Sequence, residues 1–241
     1  LNKHKDYVGT VEKDRTKQRV SAISPLSDNQ IQKVKAIWNS RTNKVIVSNF
    51  QIDILVSDLQ TLSYGQWLND NVIDFYINLI MADNPKVYGW TTHFYSTLQS
   101  KGYQGVARWA KRRKLNLFEK NLIIVPIHIL NTHWALALID NTRNSITYYD
   151  SLTSSGNRKV LEILEDYMKH EAKRLSVDIP DYELISNGNS PQQTNGFDCG
   201  VFTCTNARLL ACNRDLQYSQ KDMKVIRMRM TYEISSNSLL S

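Results

Sequence analysis

The chemistry legible in this chain begins with its cysteines, of which there are 3 in 241 residues. Cys204 and Cys212 fall inside the helical pattern that follows Gly200 and read as small buried hydrophobes. Cys199 is placed differently, between Asp198 and Gly200, where the turn-rich segment from Ser190 runs into a helix. A sulfur at a helix N-terminus feels the positive end of the macrodipole, which favours the thiolate and therefore nucleophilic attack. Such a thiolate needs a base. Of the 5 histidines, His4 lies in the polar N-terminal stretch, and His170 is flanked by Lys169 and Glu171 on a solvated helix face. His93 precedes Phe94-Tyr95 and could be packed, and His128 lies within an apolar strand. His133 opens a strand beside Trp134, and strand ends are where sites are commonly built.

A carboxylate is available to that histidine. The strands 133–140 and 145–150 are joined by Asn141-Thr142-Arg143-Asn144. If Asn141 and Thr142 form a two-residue turn, Asp150 lies directly opposite His133. If the loop takes all four residues, Asp150 lies opposite Ala135, one diagonal away. Both registers put the two side chains on one face, because residues 133 and 135 share it. A carboxylate there can orient the imidazole and stabilise its charged form. Upstream of Cys199, Gln192 and Gln193 carry side-chain amides able to donate to a developing oxyanion.

These residues need a scaffold. Ser27 with Gln30 reads as a capping box ahead of Ile31, Val34, Ile37 and Trp38 at helical spacing. Residues 44–50 and 51–55 are rich in Val and Ile and read as short extended segments. Asn69 or Asp70 caps a helix whose apolar face is Val72, Ile73, Tyr76, Ile77 and Ile80. A helix is expected around Tyr103, Val106, Trp109 and Ala110, ending in the basic run Lys111, Arg112, Arg113 and Lys114. The nearly continuous apolar run 122–129 reads as a central strand. A long helix places Val160, Leu161, Leu164, Tyr167, Met168 and Leu175 on one face, and 181–185 reads as a strand. A last helix starts near Ser219, with Asp222 as capping partner, and buries Met223, Ile226, Met230 and Ile234. Mixed elements without strict βαβ alternation predict an α+β domain.

Composition narrows the class. Hydrophobic residues make up 41% of the chain and aromatics 10%, enough for a packed core, which excludes a disordered protein. No run of 18 apolar residues occurs that could cross a membrane as a helix, and residues 1–20 contain no apolar signal region. The odd and low count of cysteines argues against a disulfide framework and for a reducing compartment, and no zinc-ligand spacing can be drawn. The net charge of +7 is a weak pointer to acidic partners. The run Lys111–Lys114 lacks the interleaved aromatics of a strand-binding groove and reads as a solvated helix end. Residues 1–24 are expected to be a flexible basic arm, and residues 25–241 a single domain.

Taken together, Trp67-Leu68-Asn69-Asp70, Gly102-Tyr103-Gln104-Gly105-Val106 through Arg108-Trp109, His133-Trp134, Tyr148-Tyr149-Asp150-Ser151-Leu152, and Pro191-Gln192-Gln193 through Asn195-Gly196-Phe197-Asp198-Cys199-Gly200 resemble one family. It is that of the ubiquitin-like-modifier-specific cysteine proteases, and the likeness is greatest to the SUMO-specific branch. It runs from about Gln51 to Ile234. The order His…Asp…Gln…Cys fits the family, with 17 residues from His133 to Asp150 and 6 from Gln193 to Cys199.

The resemblance implies an α+β papain-like fold: a mixed sheet carrying His133 and Asp150 faces a helix with Cys199 at its N-terminus. Cys199 would be the nucleophile, His133 the base and then the acid, Asp150 the orienting carboxylate and Gln193 the oxyanion donor. Trp67 and Trp134 match the tryptophans that cover a tunnel for the modifier's Gly-Gly tail, and without that match both would read as core. Asp70 matches an acidic contact to the modifier. His93 stands where yeast-type relatives have an aromatic contact, and Phe197 where relatives commonly carry Tyr or Ser. The implied reaction is hydrolysis after the terminal Gly-Gly of a SUMO-type modifier, in precursor processing and in deconjugation from lysine. The alternatives are a protease for another ubiquitin-like modifier, an acyltransferase with a Cys-His-Asp set, and a modifier-binding module without turnover. The reading expects no cofactor or metal, no membrane insertion, no nucleic-acid partner and a monomer, located inside the cell at the nucleus or nuclear envelope.

Overall fold

The computed structural model describes residues 23–241. The expected basic arm therefore lies, apart from its last two residues, outside the described residues. Helix α1 (Asp28–Trp38) starts at the expected capping box, with the Ser27 hydroxyl and the Gln30 side chain each bonded to the other's backbone N–H. The hairpin β1 (Val45–Asn49) and β2 (Ile52–Leu55) turns through Phe50 and Gln51, both at positive φ. A short helix α2 (Val56–Gln60) leads to α3 (Asp70–Asp83), whose N-cap is Asn69.

Five strands form one mixed sheet in sequential order: β3 (Val87–Gly89), β4 (Leu122–Ile129), β5 (His133–Asp140), β6 (Ser145–Tyr149) and β7 (Glu183–Ile185). The outer pairs β3–β4 and β6–β7 are parallel, and the inner pairs are antiparallel. Pro126 sits in central β4 without breaking it. Pairing with β3 stops at Ile124, so the missing N–H falls where no ladder bond is needed on that side.

Alternation along β5 divides the core in two. Trp134, Leu136 and Leu138 join α3, α6 (Cys199–Ala211) and α7 (Met223–Ser235) in one apolar cluster. Ala135, Ala137 and Ile139 join α4 (Thr92–Arg112) and α5 (Arg158–Leu175) in the other. A sheet covered on both faces explains why β4 and β5 read as nearly continuous apolar runs.

Several boundaries differ from expectation. Helix α4 begins at Thr92, well before Tyr103, and kinks at Gly102 (φ 63°, ψ −171°), a conformation essentially reserved for glycine. The break hid the first half of the helix from a periodicity reading. Strand β7 is shorter than the expected 181–185, and β6 stops at Tyr149, leaving Asp150 just beyond the ladder. Cys212 is exposed, because α6 ends at Ala211 and Cys212 is its C-cap, so its reading as a buried hydrophobe is corrected. Leu175, in the last turn of α5, is only half-buried.

Candidate active site

Cys199 is the first residue of α6 and is buried at that helix's N-terminus. Opposite it stands His133, the first residue of β5. His133 Nε2 lies 2.8 Å from Asp150 Oδ1, which leaves Nδ1 for the hydrogen bond with Cys199. The β5–β6 register is that of the four-residue loop, with Asp140 opposite Ser145 and Leu136 opposite Tyr149. The next pair would set Asp150 against Ala135, the diagonal arrangement. Asp150 also accepts the Leu152 N–H at 2.8 Å and the Tyr148 hydroxyl at 3.0 Å.

The charges follow from this wiring. Burial pulls the His133 pKa down, but the hydrogen bonds to Asp150 and Cys199, and their charges, prevail and push it up to about 9. Burial pushes Asp150 up, but the His133 and Leu152 hydrogen bonds, the His133 charge and the Tyr148 hydroxyl hold it below the ordinary carboxylate value. The geometry therefore favours an imidazolium held between a carboxylate and a sulfur.

The loop before Cys199 is tied to the strand end that holds Asp150. Gln192 Nε2 donates to the Asp150 carbonyl at 2.8 Å, and the Gln193 N–H donates to the Ser151 carbonyl at 2.7 Å. The buried Gln193 side chain is fixed at both atoms: Oε1 accepts from the Ser151 hydroxyl at 2.7 Å, and Nε2 donates to the Asn195 carbonyl at 2.5 Å. The amide nitrogen carries a second N–H, which remains available to an oxyanion.

The two tryptophans differ. Trp67 is 51% exposed, so it is no core residue. Trp134 is buried, stacks on His128 with ring centroids 3.8 Å apart, and points its indole N–H at the Leu68 carbonyl. Gly200 lets these parts meet, since a Cβ there would lie 3.0 Å from the Leu68 Cβ and 3.4 Å from the Trp134 ring. His93 is exposed, which rules out the packed reading of it: it is the second residue of α4, and its Nε2 faces Asp70 at 3.6 Å. Burial lowers the His128 pKa, with Asp70 opposing and His133 and His93 assisting, so these four groups share one electrostatic neighbourhood.

Beneath the site lies a group that periodicity did not single out. Asp198 and Arg227 are fully buried. Arg227 Nε donates to Asp198 Oδ1 at 2.8 Å. Arg227 could have been seen, since it lies four residues after Met223 and three before Met230, inside the apolar stripe of α7. A surface groove of about 1110 Å³ lies elsewhere, lined among others by Arg143, Thr147, Tyr149, Glu183 and Arg214 and by none of the candidate residues. Among the described residues no group of His, Cys, Asp and Glu could hold a metal, and no helix is long and apolar enough to cross a membrane.

A thiol at a helix N-terminus facing an imidazole on a mixed sheet is the papain-like arrangement. The chain belongs to the Ulp1 protease family: the model of that family's C-terminal catalytic domain matches residues 66–239. A sentrin-specific protease of Caenorhabditis elegans is 37% identical over 235 residues, covering 93% of this chain and 33% of the relative. Ubiquitin-like-specific protease 1 of Saccharomyces cerevisiae is 36% identical over 211 residues, covering 87% and 33%. This chain thus spans about a third of the length of both relatives. Among solved structures, the C-terminal Ulp1 protease domain in complex with Smt3, the yeast ortholog of SUMO, superposes with a TM-score of 0.84 at 32% identity, covering 89% of this chain and 97% of that one. The SUMO protease Ulp1 with its catalytic cysteine oxidised to a sulfinic acid gives a TM-score of 0.81 at 31% identity, covering 90% and 98%.

Proposed function

We propose that residues 25–241 are the catalytic domain of a SUMO-specific cysteine protease that hydrolyses the bond following the modifier's terminal Gly-Gly. The observation that carries this is the His133–Asp150 contact at 2.8 Å, with Cys199 hydrogen-bonded to the same imidazole at the start of a helix. The Cys199 thiolate attacks the carbonyl carbon of the terminal glycine. The oxyanion is met by the Cys199 N–H and the free N–H of Gln193. Collapse breaks the C–N bond, and His133 gives its proton to the departing amine. His133, now neutral, takes a proton from water, which attacks the thioester. The carboxylate leaves and the thiolate is restored. A lysine amine makes the reaction deconjugation, and a peptide amine makes it precursor processing.

Trp67 and Trp134 would roof the path of the tail, and Asp70 with His93 would meet the modifier's surface beside it. The Smt3 complex of the yeast relative supports SUMO as the partner. Action inside the cell, at the nucleus or its envelope, by a monomer follows from the same reading. The test is a panel of SUMO, ubiquitin and other modifiers carrying a C-terminal electrophile, read by peptide mass. The expected result is a SUMO adduct on Cys199. An adduct with ubiquitin and none with SUMO would reassign the substrate, and no adduct with any modifier would end the protease reading.

A further inference from the structure

Cys199 follows a residue whose behaviour is unusual for its position. Asp198 is the N-cap of α6, where a carboxylate ordinarily accepts the N–H groups of the first turn. Here it makes no capping bond. Oδ1 accepts Arg227 Nε at 2.8 Å, and Oδ2 accepts Asn195 Nδ2 and Gln220 Nε2, both at 2.7 Å. The partner that draws it away, Arg227, is itself fully buried.

Every N–H of that guanidinium is used. Nη1 donates to the carbonyls of Thr61 at 3.2 Å and Ser63 at 3.1 Å. Nη2 donates to the carbonyl of Gln66 at 2.9 Å and to that of Phe197 at 3.1 Å. Gln66 immediately precedes Trp67, and Phe197 lies two residues before Cys199. One planar fork on α7 thus joins the loop that presents the roof tryptophan to the loop that presents the nucleophile. A lysine has three donors and no fork, and cannot serve the same acceptors.

We propose that Arg227 is a positioning residue for the Cys199 reaction: it sets the Trp67 loop against the nucleophile, and it holds the Asp198 carboxylate off the N-terminus of α6. This rests on the proposed role of Cys199. With the carboxylate held away, the first-turn N–H groups stay free for a thiolate or an oxyanion. The charges around the sulfur are His133 on β5 with Asp150 behind it, Asp198 on the preceding loop, and Arg227 on α7, with Tyr64 beside the guanidinium. Arg227 and Cys199 attract each other across this space. Removing the arginine takes away a cation and releases an anion, and both changes disfavour the thiolate. Neutralising Asp198 has the opposite sign.

The test measures the pH dependence of Cys199 alkylation by iodoacetamide, read by peptide mass, alongside kcat and KM on a SUMO fluorogenic substrate. Arg227→Gln should move the alkylation midpoint up by about one pH unit, and Asp198→Asn should move it down by a similar amount. Arg227→Lys should keep the midpoint near wild type and lower kcat about tenfold or more, because charge is retained and placement is lost. Opposite shifts support the proposal. Shifts in the same direction, or none, overturn it, since a purely structural role has no sign to reverse. If Arg227→Gln does not fold, Asp198→Asn alone decides: a downward shift supports the proposal, and any other result overturns it. A wild-type protein that neither alkylates at Cys199 nor cleaves the substrate would instead refute the role of Cys199.

Discussion

His133 and Asp150 meet at 2.8 Å although their strands are not aligned to place them face to face. Strand β5 starts at His133, whereas its pairing with β6 ends at Leu136 and Tyr149. Asp150 has left the ladder, and its carboxylate is held by the Leu152 N–H and the Tyr148 hydroxyl as well as the imidazole. The pair is therefore set by the loop after β6 as much as by the sheet.

A pH dependence follows. His133 is raised from an ordinary 6.5 to about 9, so kcat/KM on a SUMO substrate should fall on an alkaline limb near pH 9. Asp150→Asn should move that limb down by about one unit or more, as the raising carboxylate is lost. Stability follows the same linkage. The raised histidine contributes fully below pH 6.5, and that contribution is lost as pH rises through about 9. The lowered Asp150 contributes above 3.8 and loses that contribution as pH falls below it. Denaturant melts should show the widest gap between wild type and Asp150→Asn between these limits. A gap unchanged from pH 5 to pH 10 would contradict the ion pair.

Cys199→Ser should abolish hydrolysis and keep modifier binding, because in the proposed mechanism the thiol does the chemistry and the surface supplies affinity. A serine variant retaining more than a few per cent of the rate would remove Cys199 as nucleophile. His133→Ala should lose a comparable rate, since groups that act together are not additive.

Gln193→Ala should lower kcat by about a hundredfold or more with little change in KM, the expected cost of one oxyanion donor. A mainly KM effect would assign Gln193 to tail binding.

Replacing a terminal glycine of the modifier with alanine adds a methyl group under the proposed roof. Overpacking a rigid site costs roughly 1–3 kcal/mol, so cleavage should fall by about one to two orders of magnitude. Trp67→Ala should slow the Gly-Gly substrate and narrow its lead over Gly-Ala. Equal slowing of both would leave no coupling and remove the tunnel.

Asp70→Ala should raise KM more than it lowers kcat, as for a contact made equally in the ground and transition states. The Asp70–His93 pair is exposed, so its own coupling is expected to be under about 1 kcal/mol. A pure kcat loss in Asp70→Ala would move Asp70 off the docking surface.

The sequence alone was enough to place Cys199 at a helix start and His133 at a strand start, because capping, period and turn chemistry are local. Alternation put His133 and Asp150 on one face, and could do so in either register because both preserve parity. It left the register itself open, since Asn141-Thr142-Arg143-Asn144 can turn in more than one way. Trp67 and Trp134 look alike as residues, yet one is half exposed and the other packed between Leu68, His128 and Gly200. Only tertiary structure separates them, because burial depends on what other segments bring. The same holds for Arg227. A charged residue in an apolar stripe is tolerable only if partners distant in sequence meet each of its donors, and here they come from Thr61, Ser63, Gln66, Phe197 and Asp198. No local pattern encodes that convergence; it exists only once the chain has closed on itself.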